Sequence, residues 1–214
     1  MKKQFVNLLC LLLGIALGVG GCLLVRFLQD GGPRRDGEAA EAISVQSAVL
    51  RNEDLAKLAG SVADCLARED YAALSEYIHP VYGLVFSPYA TVNLGSSQCF
   101  TPQRVAVTDK DKNVYVWGVK YGSNEPIQLT AKQFFTEVLY DRDYANAPVM
   151  GFNTVLRSGN ALENVLDAFP GSQFVDLCFP AAGGGNDWRI LRMVFEDCEG
   201  EMKLSALIHS EYTE

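Results

Sequence analysis

The sequence predicts an α+β fold, in which an N-terminal membrane segment is followed by helices packed on a curved antiparallel sheet that ends in a three-strand meander. Three observations predict it. An apolar run occupies most of residues 1–28, helical periodicity follows from residue 52, and the last third contains long strand-like segments joined by short turns. Helices first and strands last is the order typical of α+β domains, whose helices cover one face of the sheet.

Residues 1–28 are predicted to be a signal anchor or a lipoprotein signal. Lys2 and Lys3 form a basic start, and the apolar stretch after them has the composition of a secretory signal. With either signal the chain is exported. The remainder is then tethered to the cell membrane, with its soluble part on the extracytoplasmic face.

Cys22 distinguishes the two modes of attachment. Gly20 and Gly21 directly before it resemble the lipobox of bacterial lipoproteins, in which the cysteine after the cleavage site carries the lipid. The apolar residues continue past Cys22 to Phe27 and Leu28, however, and a run of about 21 residues spans the ~30 Å hydrocarbon core. Cys22 would then be one apolar residue of a spanning helix. The continuation favours the anchor, and both alternatives stay open.

Residues 29–41 are predicted to be a flexible linker, because they combine glycine, proline and charged residues without periodicity. The extracytoplasmic α+β domain then occupies residues 42–214. These boundaries leave one globular domain of a size that can bury an ordinary hydrophobic core.

The domain is expected to begin with two helices. Asn52 is a suitable N-cap, and the apolar residues after it recur at helical spacing on one face. Asp70 is the expected cap of a second, shorter helix. This helix ends at His79, because Pro80 disfavours the helical conformation of the residue before it.

Segments of β type fill most of the remaining chain. Short ones lie at residues 83–86, 89–92, 114–121 and 126–129, and Thr130 then starts another amphipathic helix. The C-terminal third has the strongest pattern, with the segments SQFVDLCF, WRILRMVFED and MKLSALIHSEY separated by a glycine loop and a tight Glu-Gly turn. These three segments predict an antiparallel meander.

Several pieces of the domain resemble a group of poorly characterised extracytoplasmic domains of bacteria. The pieces are HPVYGLVFSPYATV, WGVKYGSNEPIQLT, VLYDRD and DWRILRMVFED, and they lie between about Leu66 and the C-terminus. The layout is similar to the cone-shaped α+β folds of the nuclear-transport-factor-like and cystatin-like type. The resemblance implies a fold and a location, and it carries no assigned chemistry.

The formal net charge of −8, from 18 basic and 26 acidic residues, indicates an acidic exterior. Such a surface repels nucleic acid and anionic lipid headgroups, so nucleic-acid partners are not expected. The sequence also lacks a recognisable cofactor or metal motif. No cofactor and no metal are therefore expected.

The first interpretation of function is a binding or envelope-accessory domain without catalysis. Tyr82, Tyr89, Trp117 and Tyr121 come from segments that are expected to meet at the open end of the cone. They are candidates to line a pocket for a small apolar or glycan-like ligand, and ordinary core packing is the alternative explanation. The partner is expected to be a small ligand or an envelope protein, and the oligomeric state is left open.

A small enzyme is the alternative interpretation. In nuclear-transport-factor-like enzymes such as ketosteroid isomerases and scytalone dehydratases, acid and base residues line the mouth of the cone. By that resemblance, His209 or His79, with an acid such as Asp143, would serve an isomerase or dehydratase. Structural roles also account for both histidines, because a histidine before proline closes a helix end and a strand histidine is commonly a satisfied sheet residue.

Four cysteines lie beyond the membrane segment, namely Cys65, Cys99, Cys178 and Cys198. An even number of cysteines in an oxidising compartment predicts at least one disulfide, with four free thiols as the alternative. Cys178 and Cys198 fall at far ends of adjacent strands and are not expected to meet. The lack of a CxxC pair argues against zinc.

Overall fold

The computed structural model describes residues 49–212. The predicted membrane segment, Cys22 and the linker lie outside the described residues, so the statements about attachment stay predictions. Within the described part of the chain, no helix combines the length and the apolar character needed to cross a bilayer.

A six-stranded sheet forms the centre of the described domain. Its strands are β1 Leu84–Ser87, β2 Cys99–Phe100, β5 Val149–Phe152, β6 Gln173–Phe179, β7 Arg189–Cys198 and β8 Glu201–Glu211. They are arranged in the order β2-β1-β8-β7-β6-β5. All neighbours are antiparallel except β1 and β8, which run parallel.

The sheet is therefore mixed, and the expectation of an antiparallel sheet is corrected at the β1–β8 pair. Phe86 of β1 lies opposite Leu207 of β8 in parallel register. No hairpin joins these two strands, so a long return of the chain determines their relative direction. The antiparallel pattern of a meander does not extend to such a pair.

The three C-terminal strands form the meander that their sequence pattern predicts. Cys178 lies opposite Ile190, and Ile190 lies opposite Ser210, so β6, β7 and β8 pair in chain order. Glu199 and Gly200 form the turn between β7 and β8 with φ values of 56° and 92°. Positive φ at both central residues suits the twist of a tight hairpin.

A separate two-stranded ribbon consists of β3 (Val114–Val119) and β4 (Pro126–Thr130). Its pairing shifts between Val116 and Val119, which marks a β-bulge. The bulge lies where the ribbon approaches the end of β1.

Helices cover the first face of the central sheet. They are α1 Asn52–Ala67, α2 Tyr71–Ser75, α3 Pro102–Val105 and α4 Ala131–Phe134, which continues as a π-helix over Phe135–Leu139. The short helix α5, Val165–Ala168, lies on the second face. Asp70 caps α2 as expected, because its carboxylate accepts a hydrogen bond from the Ala73 backbone N–H at 3.0 Å. Helix α1 instead has Arg51 at the N-cap, so Asn52 is its first residue.

The π-helix changes the residues that the fourth helix buries. Its wider turn is closed by the hydrogen bond from the Tyr140 N–H to the Phe135 carbonyl, 2.9 Å long. Phe134, Phe135 and Leu139 are buried in consequence, while Val138 is half-buried. A regular helical stripe would place Val138 on the buried face.

The second face of the sheet is also buried, in contrast to the one-sided cover that the sequence suggested. The segment 153–172 crosses this face, and its Val165 and Phe169 pack on Phe174 and Val194 of the sheet. The helix-covered core and this smaller cluster thus enclose β6, β7 and β8 between them. The faces of these central strands are consequently unavailable to a ligand.

Candidate ligand-binding groove

A groove of about 320 Å³ lies between the chain that follows β1 and the turn of the β3–β4 ribbon. The first wall extends from Ser87 to Ser97, and the second extends from Trp117 to Asn124. Both walls therefore consist of short loops held by packed strands, which is where binding residues are commonly found.

The first wall is bent by side-chain hydrogen bonds. The Ser87 hydroxyl lies 2.7 Å from the Tyr89 carbonyl and 3.1 Å from the Thr91 carbonyl, which curls the chain just after β1. Residues 89–92 form no strand here, so the strand predicted for them is wrong. The β propensity of these residues is outweighed by the local bonds of Ser87.

The segment after the bend is anchored to the cover of the second sheet face. The Thr91 hydroxyl donates to the Leu162 carbonyl at 2.7 Å. Asn164 bonds Val92 twice, since its Oδ1 accepts from the Val92 N–H at 2.8 Å and its Nδ2 donates to the Val92 carbonyl at 2.9 Å. These three bonds hold the first wall at a fixed position.

The second wall approaches the first because of a glycine in the bulge. Gly118 has a φ of 138°, and a Cβ added to it would lie 3.3 Å from Cγ of Pro88. Asn124 adopts a φ of 57° in the following turn, a conformation that asparagine tolerates better than most residues. The turn is closed by the Lys120 N–H, which donates to the Glu125 carbonyl at 2.8 Å.

Two tyrosines, one from each wall, meet inside the groove. The rings of Tyr89 and Tyr121 are edge-to-face, with centroids 4.5 Å apart and an interplanar angle of 80°. Burial raises the pKa of Tyr89, a backbone hydrogen bond with Tyr121 opposes this, and the charge of Glu211 adds to it. The Tyr89 hydroxyl is consequently neutral at ordinary pH.

Trp117 belongs mainly to the hydrophobic core behind the groove. Only 3% of the residue is exposed, and its ring stacks on Phe134 at a centroid distance of 4.0 Å. Its indole N–H donates to the Leu129 carbonyl at 2.9 Å. Trp117 therefore forms the back of the groove and does not offer a free ring face.

Tyr82 is the sequence-predicted aromatic residue that lies elsewhere. It is 61% exposed and stacks on His79 with ring centroids 4.2 Å apart. Three of the four aromatic candidates (Tyr89, Trp117 and Tyr121) thus come together, and Tyr82 does not join them.

His79 has a structural role in the turn after α2. Its Nδ1 accepts hydrogen bonds from the backbone N–H groups of Val81 and Tyr82, at 3.2 and 3.0 Å. Nδ1 as acceptor implies a proton on Nε2, which lies 3.4 Å from the Asp197 carbonyl. The imidazole therefore closes the His-Pro turn.

His209 lies in a buried polar cluster on the helix-covered face of β8. The residue is 4% exposed, and its Nε2 lies 3.3 Å from Oδ1 of Asp141. This is ion-pair distance without good hydrogen-bond alignment, and Nδ1 has no partner among the described residues. Asp141 also accepts bonds from the Tyr144 hydroxyl at 2.7 Å and from Arg189 Nε at 3.2 Å.

Opposing effects determine the pKa of Asp141. Burial works to raise it, while the close approach of His209, the hydrogen bond from Tyr144 and the charge of Arg189 together hold the pKa below its ordinary value. Asp141 is thus an ionised acceptor at the centre of the cluster. Burial also raises the pKa of Tyr144 far above its ordinary value, and the charge of Asp141 adds to this effect.

Asp143, the acid suggested from sequence, is not the partner of either histidine. Its carboxylate accepts from the Tyr140 hydroxyl at 3.2 Å and from Asn146 Nδ2 at 2.8 Å. The two histidines are also apart, since the His79 N–H bonds the Leu204 carbonyl and His209 lies five residues further along β8. Five strand residues span about 17 Å.

The four described cysteines are free thiols, so the expected disulfide is not present among the described residues. Cys65 packs in the helix-covered core, whereas Cys178 packs on the opposite sheet face. Cys178 lies opposite Ile190, and Cys198 is eight residues further along β7, a distance of about 26 Å. Burial raises the pKa of Cys65, Cys99 and Cys178.

Metal binding has no geometric support in residues 49–212, where no group of three or more His, Cys, Asp or Glu side chains is placed to hold an ion.

The polar residues of the groove were not found from sequence. They are Asn93, Ser96, Ser97 and Asn124. Their signal was weak, because small polar residues in NLGSS and YGSN are typical of any turn.

Comparisons with known proteins leave the chain without a family. No protein-family profile matches it, and no curated protein matches it. One solved structure, described as a calcium/calmodulin dependent protein kinase II association domain from Xanthomonas campestris, is 10% identical, with 78% of this chain and 91% of that chain covered. The TM-score is 0.34. This similarity is too low to support an inference about fold or function.

Proposed function

We propose that the protein is an extracytoplasmic binding domain, tethered to the cell membrane by its N-terminal segment, and that the groove holds a small ligand. The observation that carries the proposal is the Tyr89–Tyr121 pair, which brings two aromatic rings from separate loops into one concavity rimmed by amides and hydroxyls. Aromatic surface with a few placed polar groups is the usual composition of a small-molecule site.

The groove chemistry favours binding over catalysis. Lys120 is its one lining residue with a charged side chain among those described, and the Lys120 ammonium lies 3.5 Å from a carboxylate oxygen of Glu125. The Ser87 hydroxyl is engaged with backbone carbonyls. The described walls therefore contain no side chain suited to act as a general base with a pKa near neutral pH. Acid–base catalysis needs such a group within hydrogen-bond reach of the substrate.

The enzyme alternative would need His209 or His79 to reach a substrate. His209 converges with Asp141 and Tyr144, but it is almost completely buried and does not line the groove. His79 is buried by its own turn. We infer structural roles for both histidines.

We further propose that the domain is a variant of the cone-shaped α+β folds that its sequence resembles. The support is the order of elements, in which α1 and α2 precede the sheet, and the core between these helices and β6, β7 and β8. A closed cone is compatible with a ligand site at its rim, where the loops after β1 and β3 lie.

The groove is tested on the full chain, purified in a detergent without a sugar headgroup. Saturation-transfer NMR with a library of neutral, acidic, basic and apolar small molecules should reveal binders. Their signals should be lost in Tyr121→Ala and kept in Tyr82→Ala, a matched exposed tyrosine outside the groove. Binders that survive Tyr121→Ala, or a library without binders, would contradict a groove site.

The mode and side of attachment are tested separately. The intact mass of the protein from membranes should show either a chain that begins at Met1 or an acylated form that begins at Cys22. In spheroplasts, an added protease should degrade the domain while a cytoplasmic marker survives. Protection of the domain from protease would contradict the proposed location.

A further inference from the structure

We propose that the groove binds an uncharged pyranose ring of a carbohydrate. This inference rests on the proposed function of the groove and adds the chemical class of its ligand. Three properties of the walls carry it, namely their charge, their aromatic rings and their hydrogen-bonding groups.

The charge of the groove excludes the strong binding of an ion. Among the described residues that line it, none is Asp or Glu, so a cationic ligand meets no carboxylate. Lys120 is paired with Glu125, and both side chains are exposed to water, so an anionic ligand meets a compensated charge. The rest of the protein carries an excess of acids. A neutral ligand matches this balance best.

The aromatic rings present a surface for the C–H groups of a sugar. In an edge-to-face pair, the ring that points its edge at the other keeps both of its own faces available for further contacts. Tyr121 is 42% exposed and Tyr89 is half-buried. One face of a pyranose ring consists largely of C–H groups, so it can stack on a tyrosine while its hydroxyls point outward.

The rim supplies hydrogen-bonding groups where those hydroxyls would lie. Oδ1 of Asn93 accepts from the Gly95 N–H at 3.0 Å, so the acceptor is engaged within its own loop and the amide N–H₂ remains to donate. The side chains of Ser96, Ser97 and Asn124 make no hydrogen bond with another described residue. Donors and acceptors without protein partners suit a ligand rich in hydroxyls.

An entirely apolar ligand fits this rim less well. It would displace water from the amides and hydroxyls without replacing the hydrogen bonds, and such desolvation is costly. The volume of about 320 Å³ lies at the small end of ligand sites and accommodates one or two sugar rings. We therefore expect recognition of one unit of a glycan, with the rest of the chain outside.

The test uses the tryptophan behind the groove as a reporter. The chain has two tryptophans, so Trp188→Phe leaves Trp117 alone. The full chain in a zwitterionic detergent is titrated with N,N′-diacetylchitobiose, maltose, glucuronic acid, glucosamine and the largely apolar cyclohexanol while Trp117 emission is recorded. At least one of the two uncharged disaccharides should produce a saturable change and bind more tightly than the charged sugars and cyclohexanol.

Variants locate the response and define its chemistry. Tyr121→Ala should weaken the binding of the uncharged disaccharide by roughly tenfold, whereas Tyr121→Phe should stay within about threefold because it keeps the ring. Asn93→Asp keeps the acceptor for Gly95 but removes the amide donors, and should weaken binding by roughly fivefold. Tyr82→Ala should leave the affinity unchanged. Circular dichroism confirms that each variant is folded.

The outcomes separate this inference from the function on which it rests. If cyclohexanol or a charged sugar binds in a Tyr121-dependent manner and neither uncharged disaccharide does, the ligand class is wrong and the groove remains a binding site. If neither disaccharide nor any other probe, including the small-molecule library, responds to Tyr121→Ala, both proposals are overturned. Tighter binding of glucosamine than of either disaccharide to the chain with Asn93 intact would also overturn the uncharged class.

Discussion

Arg192 and Asp176 form a bidentate ion pair that is completely buried between β7 and β6. Arg192 Nε lies 2.6 Å from Asp176 Oδ1, and the second guanidinium nitrogen lies 3.0 Å from Oδ2. Arg192 also pairs with Glu163, and Asp176 accepts from the Leu156 N–H at 3.1 Å. Both added partners belong to the segment 153–172, so the pair fastens this segment to the sheet.

Removal of the Arg192 charge should destabilise the domain strongly. Arg192→Met leaves the Asp176 carboxylate buried without its counter-ion, which is expected to cost about 3–5 kcal/mol in the free energy of unfolding. Urea denaturation of the full chain measures the loss. Arg51→Met is the matched control, because the Arg51–Asp54 pair is exposed and contributes little. Equal effects of the two substitutions would refute the anchoring role.

The Asp141 cluster should make stability depend on acid pH. The pKa of Asp141 is lower in the folded state, so its contribution is fully present above the ordinary pKa of 3.8 and is lost as the pH falls through the folded value. Asp141→Asn should cost about 2 kcal/mol at pH 7, because charged hydrogen bonds are lost. Urea denaturation should show that the difference in the free energy of unfolding between wild type and Asp141→Asn is smaller at pH 3 than at pH 7.

Asp143→Asn provides the control for that measurement. Asp143 lies two residues away on the same loop and bonds exposed neighbours, so its substitution should cost less. A gap between wild type and Asp141→Asn that stays constant down to pH 3 would show that the carboxylate charge is not responsible.

The Gly118→Ala substitution should destabilise the protein and disturb the groove. Alanine is strained at a φ of 138°, and its Cβ would press on Pro88 at 3.3 Å. We expect a loss of about 1–3 kcal/mol and a weaker Tyr121-dependent response in the ligand assay. Gly171→Ala is the matched control. Gly171 also has a positive φ, of 81°, so alanine is strained there too, but the added Cβ would meet no atom within 4 Å. It should leave ligand binding intact, and a loss there would contradict the role of close approach at Gly118.

The four described cysteines should react as thiols without prior reduction. None of the four is joined in a disulfide in the structure, and Cys65 and Cys178 pack on opposite faces of the sheet. The chain is denatured under non-reducing conditions, alkylated and mapped by peptide mass. Alkylation of Cys65, Cys99, Cys178 and Cys198 is expected. A pair that becomes alkylated only after reduction would show that the protein carries a disulfide.

The strands of the meander were predictable, because long apolar runs bounded by turn residues have few other solutions. The pairing of β1 with β8 was not, since it depends on a return of the chain that leaves no local pattern. A similar reason explains the acid beside His209. In the irregular loop after the π-helix, the side chains of Asp141 and Asp143 point to different partners, and no periodicity indicates which one faces β8.

The groove was predictable only in part. Tyr89 and Tyr121 were candidates because aromatic residues in loop-flanking segments are notable in a sequence. Their meeting depends on the bend at Ser87 and the bulge at Gly118, and both are local events that hydrophobic patterning does not encode. Tyr82 was grouped with them for its residue type, but its stacking on His79 places it in a different turn.

The position of β8 has a consequence for the biogenesis of the protein. This strand is the last one described, yet it lies in the interior of the sheet and joins β1 and β2 to the rest. When synthesis has reached residue 200, the pair β1–β2 and the three strands β5, β6 and β7 have been made. The strand that lies between these two groups in the sheet has not. The nascent chain therefore cannot complete this sheet before β8 has been made, although all the other strands of the sheet precede it.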